Sequence, residues 1–123
     1  MGRQDIQALR ERLAGEHSVS VPMHAEIKDA LETAFPGISD RERLDATTLT
    51  GVDGILHLVG VLLPDWSISL IGTASEPDRH WTCTLRRSTA DDDDEIIGHG
   101  QGPRLAPALL TALLGIAAVR AAR

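Results

Sequence analysis

Residues 49–86 read LTGVDGILHLVGVLLPDWSISLIGTASEPDRHWTCTLR, and a change of period inside this stretch decides the fold. Before Pro64, the apolar residues Leu49, Val52, Ile55, Leu56, Val59, Leu62 and Leu63 recur about every 3.6 residues, the signature of one helical face. Thr50 stands ahead of them as a cap, with Asp53 as its acidic partner. Pro64-Asp65 ends the helix, and the period then becomes two. Trp66, Ile68 and Leu70 share one face of a strand, with Ser67 and Ser69 on the other. After a loop over residues 72–79, Trp81, Cys83 and Leu85 alternate with His80, Thr82, Thr84 and Arg86. Two such strands, each with a dry and a wet face, predict an antiparallel pair.

Downstream, a third strand is expected around residues 95–99, then a helix over 104–122 with Pro107 in its first turn. That helix carries two apolar stripes. Leu105, Leu109, Leu113, Ile116 and Arg120 mark one, and Leu110, Leu114 and Ala118 mark the other. An arc so wide needs cover from the sheet and from either the N-terminal helices or a second copy of the chain. Upstream, Asp5 opens a helix bearing Ile6, Leu9 and Leu13, with Gly15 as its stop. Residues 16–21 read as a linker. Pro22 starts a second helix with Met23, Ile27, Ala30, Leu31, Ala34 and Phe35 on its apolar face, ended by Pro36-Gly37. Ser39 and Glu42 have the form of a capping box for a short further helix. The expected architecture is α+β: a two-layer α/β sandwich in α-β-β-β-α order over residues 47–123, behind a helical extension over 1–46. The helices over 51–63 and 104–122 are expected against the dry face.

The chain has 123 residues and 13.2 kDa, the size of one ordinary domain. Only Phe35, Trp66 and Trp81 are aromatic, so the core rests on Leu, Ile, Val and Ala. Eighteen acids against twelve bases leave a net charge of −6, which argues against nucleic acid or an anionic membrane as partner. The acidity is concentrated in the run Asp91, Asp92, Asp93, Asp94 and Glu95. Without it, residues 51–123 hold four acids against six arginines and are weakly positive. Cys83 is alone, which excludes an internal disulfide. The longest apolar stretch, over residues 105–119, is too short to span a bilayer, and no signal-peptide core opens the chain. A soluble, cytoplasmic protein is expected.

Several of these segments carry a resemblance. Leu49-Thr50-Gly51-Val52-Asp53, then Leu58-Val59, then Leu62-Leu63-Pro64-Asp65-Trp66 resemble the opening of small phage and prophage proteins of the ABA-sandwich type. Pro107-Ala108-Leu109-Leu110-Thr111-Ala112-Leu113-Leu114 is similar to their closing helix, and Asp5-Ile6-Gln7-Ala8-Leu9 to their leading one. Two features depart from the pattern: Thr48 or Leu49 stands where an aromatic is usual, and the last helix lacks a cysteine. The resemblance implies a sandwich fold and a phage or prophage origin. It implies no particular activity.

Two segments are candidate sites. Gly98, His99, Gly100 and Gly102, followed by Arg104, lie between a strand and a helix, where backbone N–H groups suit a phosphate. The spacing is neither a dinucleotide fingerprint nor a Walker loop, and glycines that let a strand approach a helix are the structural alternative. The run Asp91–Glu95 lacks the alternating acids and central glycine of a calcium loop. It suits a solvated hairpin tip, or an acidic patch for a basic partner. His80 and Cys83 fall on opposite strand faces, and His17, His24, His57 and His99 lie on separate elements, so no metal set is expected. Trp66 and Trp81 fall on dry faces and read as core rather than as a platform for bases. No nucleophile signature is present. The expectation is a non-enzymatic accessory protein without a cofactor, docking on a host or phage protein, such as a host-defence component, with its wet sheet face free. A phosphate- or nucleotide-binding protein using residues 98–102 is the alternative.

Overall fold

The computed structural model describes residues 2–14, 21–73, 80–87 and 97–121. Helices α1 (Arg3–Ala14), α2 (Val21–Ala34), α3 (Ile38–Arg41), α4 (Ala46–Thr50) and α5 (Val52–Leu62) precede strands β1 (Trp66–Thr73), β2 (His80–Arg87) and β3 (Ile97–Gly102). Helix α6 (Leu105–Ala121) closes the order. The strands form an antiparallel meander, β1-β2-β3. Mixed helix and strand around this sheet is the α+β architecture the change of period predicts.

The registers follow the alternation read from the sequence. Ile68 pairs with Leu85, Leu70 with Cys83 and Gly72 with Trp81. On the other side Cys83 pairs with Gly100, and Leu85 with Gly98. Directly paired residues share a face. The dry face therefore carries Trp66, Ile68 and Leu70, then Trp81, Cys83 and Leu85, then Gly98, Gly100 and Gly102.

Helix α6 lies at the centre of the molecule. Its residues from Pro107 to Leu114, with Ile116, Ala117 and Ala118, are buried. On one side it covers β3 and β2, and on the others it meets α1, α2, α4 and α5. Helix α5 thus packs behind α6 rather than across the dry face as expected. One α-helix with its side chains is about 10 Å wide, roughly two strand spacings, so α6 suffices for β2 and β3 but not for β1. Trp66 and Trp81 are accordingly packed against the core yet only half-buried. Ile6, Leu9 and Leu13 of α1, and Ile27, Ala30 and Leu31 of α2, belong to the same apolar cluster as α6. No described helix is long and apolar enough to cross a membrane.

Several caps differ from the sequence reading. Gly51, not Thr50, is the N-cap of α5, because Thr50 ends α4. The Asp45 carboxylate caps α4 by accepting from Thr48 N–H at 3.0 Å. Ser39 lies inside α3, whose N-cap is Gly37 at φ 87°. Glu32 of α2 satisfies the orphan donors there, accepting from Gly37 N–H at 2.8 Å and Ser39 N–H at 2.9 Å. These two bonds hold the Glu32 carboxyl below its ordinary pKa. Asp5 sits within the first turn of α1 and accepts from Gly2 N–H at 3.0 Å. The expected stop at Gly15 and residues 16–20 of the expected 16–21 linker lie outside the described residues, while Val21, the last residue of that linker, is helical and opens α2.

Candidate functional site: the open face of the sheet

The glycine stretch is strand, not loop: β3 runs through it to Gly102. Gly98 and Gly100 are buried against α6. A β-carbon on Gly100 would meet the Ala108 carbonyl oxygen and lie 2.7 Å from Ala112 N. One on Gly98 would meet the Ala112 carbonyl oxygen and lie 2.8 Å from Ile116 Cδ1. These positions are filled by the backbone of α6, which supports helix packing as the reason for the glycines. Gly102, opposite Trp81, is half-buried. Of the remaining candidate ligand residues, His99 and Arg104 are exposed, and the Arg104 carbonyl accepts from Ala108 N–H in the first turn of α6. The candidate partner residues Asp91, Asp92, Asp93, Asp94 and Glu95 lie outside the described residues.

The residues opposite the dry face form a three-strand surface with no described element over it. Its cross-strand rows are Ser67–Arg86–Ile97, Ser69–Thr84–His99 and Ile71–Thr82–Gln101, extended by Thr73–His80. Ile71 is 69% exposed and Ile97 47%. Around them lie hydroxyls, an amide, two imidazoles and the Arg86 guanidinium. Ser67 Oγ donates to the Arg86 carbonyl at 3.2 Å, and His80 Nε2 lies 3.3 Å from Gln101 Oε1. Ile71 and Ile97 stand at diagonally opposite corners of this face, two strands and two rows apart. The surface is therefore polar through its centre at Thr84, with an exposed apolar side chain at each margin, a mixed composition that suits protein binding.

Two arginines to which the sequence reading gave no role join elements together: Arg10 ties the sheet to the helices, and Arg120 ties one helix to another. Arg10 of α1 donates Nε–H to the Thr111 carbonyl at 2.9 Å and Nη2–H to the His99 carbonyl at 2.6 Å, joining α1, α6 and β3. Gln7 Oε1 accepts from its Nη1 at 2.9 Å. Partial burial lowers the Arg10 pKa from its ordinary value, with Glu11 opposing, though a guanidinium stays charged throughout the physiological range. Arg120 of α6 donates to the Ala34 carbonyl at the C-terminus of α2 at 3.0 Å, and its guanidinium lies 4.4 Å from the Phe35 ring centroid. The signal for Arg10 is visible in retrospect: it stands four residues after Ile6 and one after Leu9, inside an apolar stripe. A cation there needs a partner on the element it faces.

Cys83 lies on the dry face with no exposed surface, and burial pushes its thiol up to about 11. It is a small core residue, not a nucleophile. His80 is exposed on the other face, as the strand period requires. Among the described residues no three His, Cys, Asp or Glu side chains gather as a metal set would. No family model, curated protein or solved structure matches the chain.

Proposed function

We propose that this protein is a non-enzymatic binding protein that docks a partner protein on the open face of its sheet. The observation that carries the reading is a three-strand face with no described element over it, made of Ser, Thr, His, Gln and Arg86, with Ile71 and Ile97 exposed at 69% and 47% at opposite corners. A flat face of hydrogen-bonding side chains with an apolar contact at each margin suits a partner protein. The acidic run Asp91–Glu95 joins the strands that bear this face and steers a basic partner toward it. The resemblance to ABA-sandwich proteins supports a phage- or prophage-derived accessory role, with a host protein such as a defence component as the bound species. Affinity capture from a host lysate with the wild type and with a Thr84→Arg/Ile97→Lys variant tests the reading. A protein retained by the wild type and lost from the variant supports it; identical captures refute it. Replacing Asp91, Asp92, Asp93 and Asp94 by Asn is expected to slow association at low salt and to leave the fold intact.

A further inference from the structure

Strand β1 is the outer strand on one side of the sheet, and its described residues carry none of the charges, prolines or bulges that keep edges apart. Its residues Trp66–Thr73 include no charge and no proline, and its register with β2 runs without a bulge. The opposite edge is treated differently, since Arg10 of α1 caps the His99 carbonyl of β3. On the dry side, α6 covers β2 and β3 but not β1, so Trp66 and Leu70 are half-buried and Ile68 is 38% exposed. Ile71 is exposed on the other side. Among the described residues, no strand pairs with this edge.

We propose that β1 pairs with β1 of a second copy of the chain, joining two meanders into one six-stranded antiparallel sheet. The pattern of the strand suits a copy: Trp66, Ile68 and Leu70 alternate along one face, and a two-fold sets that row against its own counterpart. Two chains of net charge −6 repel, so a self-contact needs an uncharged surface, and β1 is one. A two-fold axis that sets neighbouring strands antiparallel is perpendicular to the sheet. It keeps both dry faces on the same side and pairs residues of equal parity.

Centred on Ser69, this axis places Ser69 opposite its own counterpart, Ile68 opposite Leu70, Ser67 opposite Ile71 and Trp66 opposite Gly72. The Trp81 ring occupies the space over Gly72, so Trp66 of each chain comes beside Trp81 of the other. Trp66, Ile68 and Leu70 from both copies then form one apolar strip in the gap between the two α6 helices. This goes beyond the docking reading. The open face stays free in the dimer and becomes continuous across six strands.

Sedimentation velocity between about 1 and 100 µM, on the full chain, tests the mass. The expected species is twice 13.2 kDa. Ser69 is exposed, so Ser69→Lys is compatible with the fold and sets two like charges directly opposite across the axis. It should yield a monomer with unchanged circular dichroism. Under mild oxidation Ser69→Cys should form a covalent dimer. Ser67→Cys should not, because its two copies stand four residues apart along the strands, about 13 Å, too far for a disulfide. Buried Cys83 does not compete. A wild type that stays monomeric up to 100 µM overturns the proposal, and so does a dimer that Ser69→Lys leaves intact. Ser69 itself lies on the open face, so its variants are read by mass and covalent dimer alone, and the docking reading is tested separately at Thr84 and Ile97 with β1 unchanged.

Discussion

Replacing Gly100 by alanine adds one methyl group where α6 crosses β3. The added carbon would meet the Ala108 carbonyl and sit 2.7 Å from Ala112 N and 3.0 Å from Thr111 Cβ. Two of these three atoms are helix backbone and have no rotamer into which to retreat. Relief requires α6 to lift from the sheet by most of an ångström, which loosens Leu109, Leu110 and Leu113 behind it. Overpacking of this kind costs about 1–3 kcal/mol, and the rigid obstacle puts it at the upper end. The lower chain entropy of alanine returns about 0.5–1 kcal/mol. The net loss is about 2 kcal/mol, which at about 4 °C per kcal/mol lowers the melting temperature by about 8 °C. Gly60 supplies the control: it is exposed on α5, and a β-carbon there meets nothing within 4 Å. Gly60→Ala should stabilise by about 1 kcal/mol through helix propensity and raise the melt by about 4 °C. Thermal and urea unfolding by circular dichroism measure both. A Gly100→Ala protein as stable as the wild type, or more so, would refute the close approach of helix to strand.

Three other outcomes follow from the packing. Leu113 has no exposed surface, so Leu113→Asp places an unpaired charge in the core and should leave the chain unfolded by circular dichroism at 25 °C; a folded variant would show that this face of α6 is not enclosed. Arg10→Ala should cost about 1–3 kcal/mol by removing two charge-assisted bonds to carbonyls, and hydrogen exchange should show β3 loosening first, with only partial rescue by lysine, which lacks the planar fork. The folded Cys83 thiol keeps its proton up to about pH 11 whereas the unfolded thiol releases it near 9, so its stabilising contribution is complete below pH 9 and is lost as pH rises through 11. That loss is on the order of 2 kcal/mol. Comparing urea midpoints of wild type and Cys83→Ala across this range isolates it; parallel curves would contradict it.

The sheet was legible because its information is local. The switch of period at Pro64 marks where α5 ends and β1 begins, and the alternation through Trp81, Cys83 and Leu85 sets their faces. The burial of α6 was legible from its two apolar stripes. The position of α5 was not, since an apolar helical face states that something covers it and not whether that cover is a sheet or another helix. The same limit applied to Trp66 and Trp81: alternation names the face, but the width of α6 decides how much of it is covered. Side-chain bonds were missed where the residue that makes them belongs to another element. Glu32 serves α3 from the preceding helix, and Arg10 reaches His99 and Thr111 from the far end of the chain. The glycines of β3 were ambiguous because close approach to a helix and close approach to a ligand impose the same residue.

At 13.2 kDa the protein suits nuclear magnetic resonance titration with a partner captured from the lysate. The docking reading predicts that amide and side-chain signals of Ser69, Ile71, Thr84, Ile97, His99 and Gln101 shift together, while those of α2 and α5 stay in place. Shifts confined to the helical side, with the open face unmoved, would contradict it.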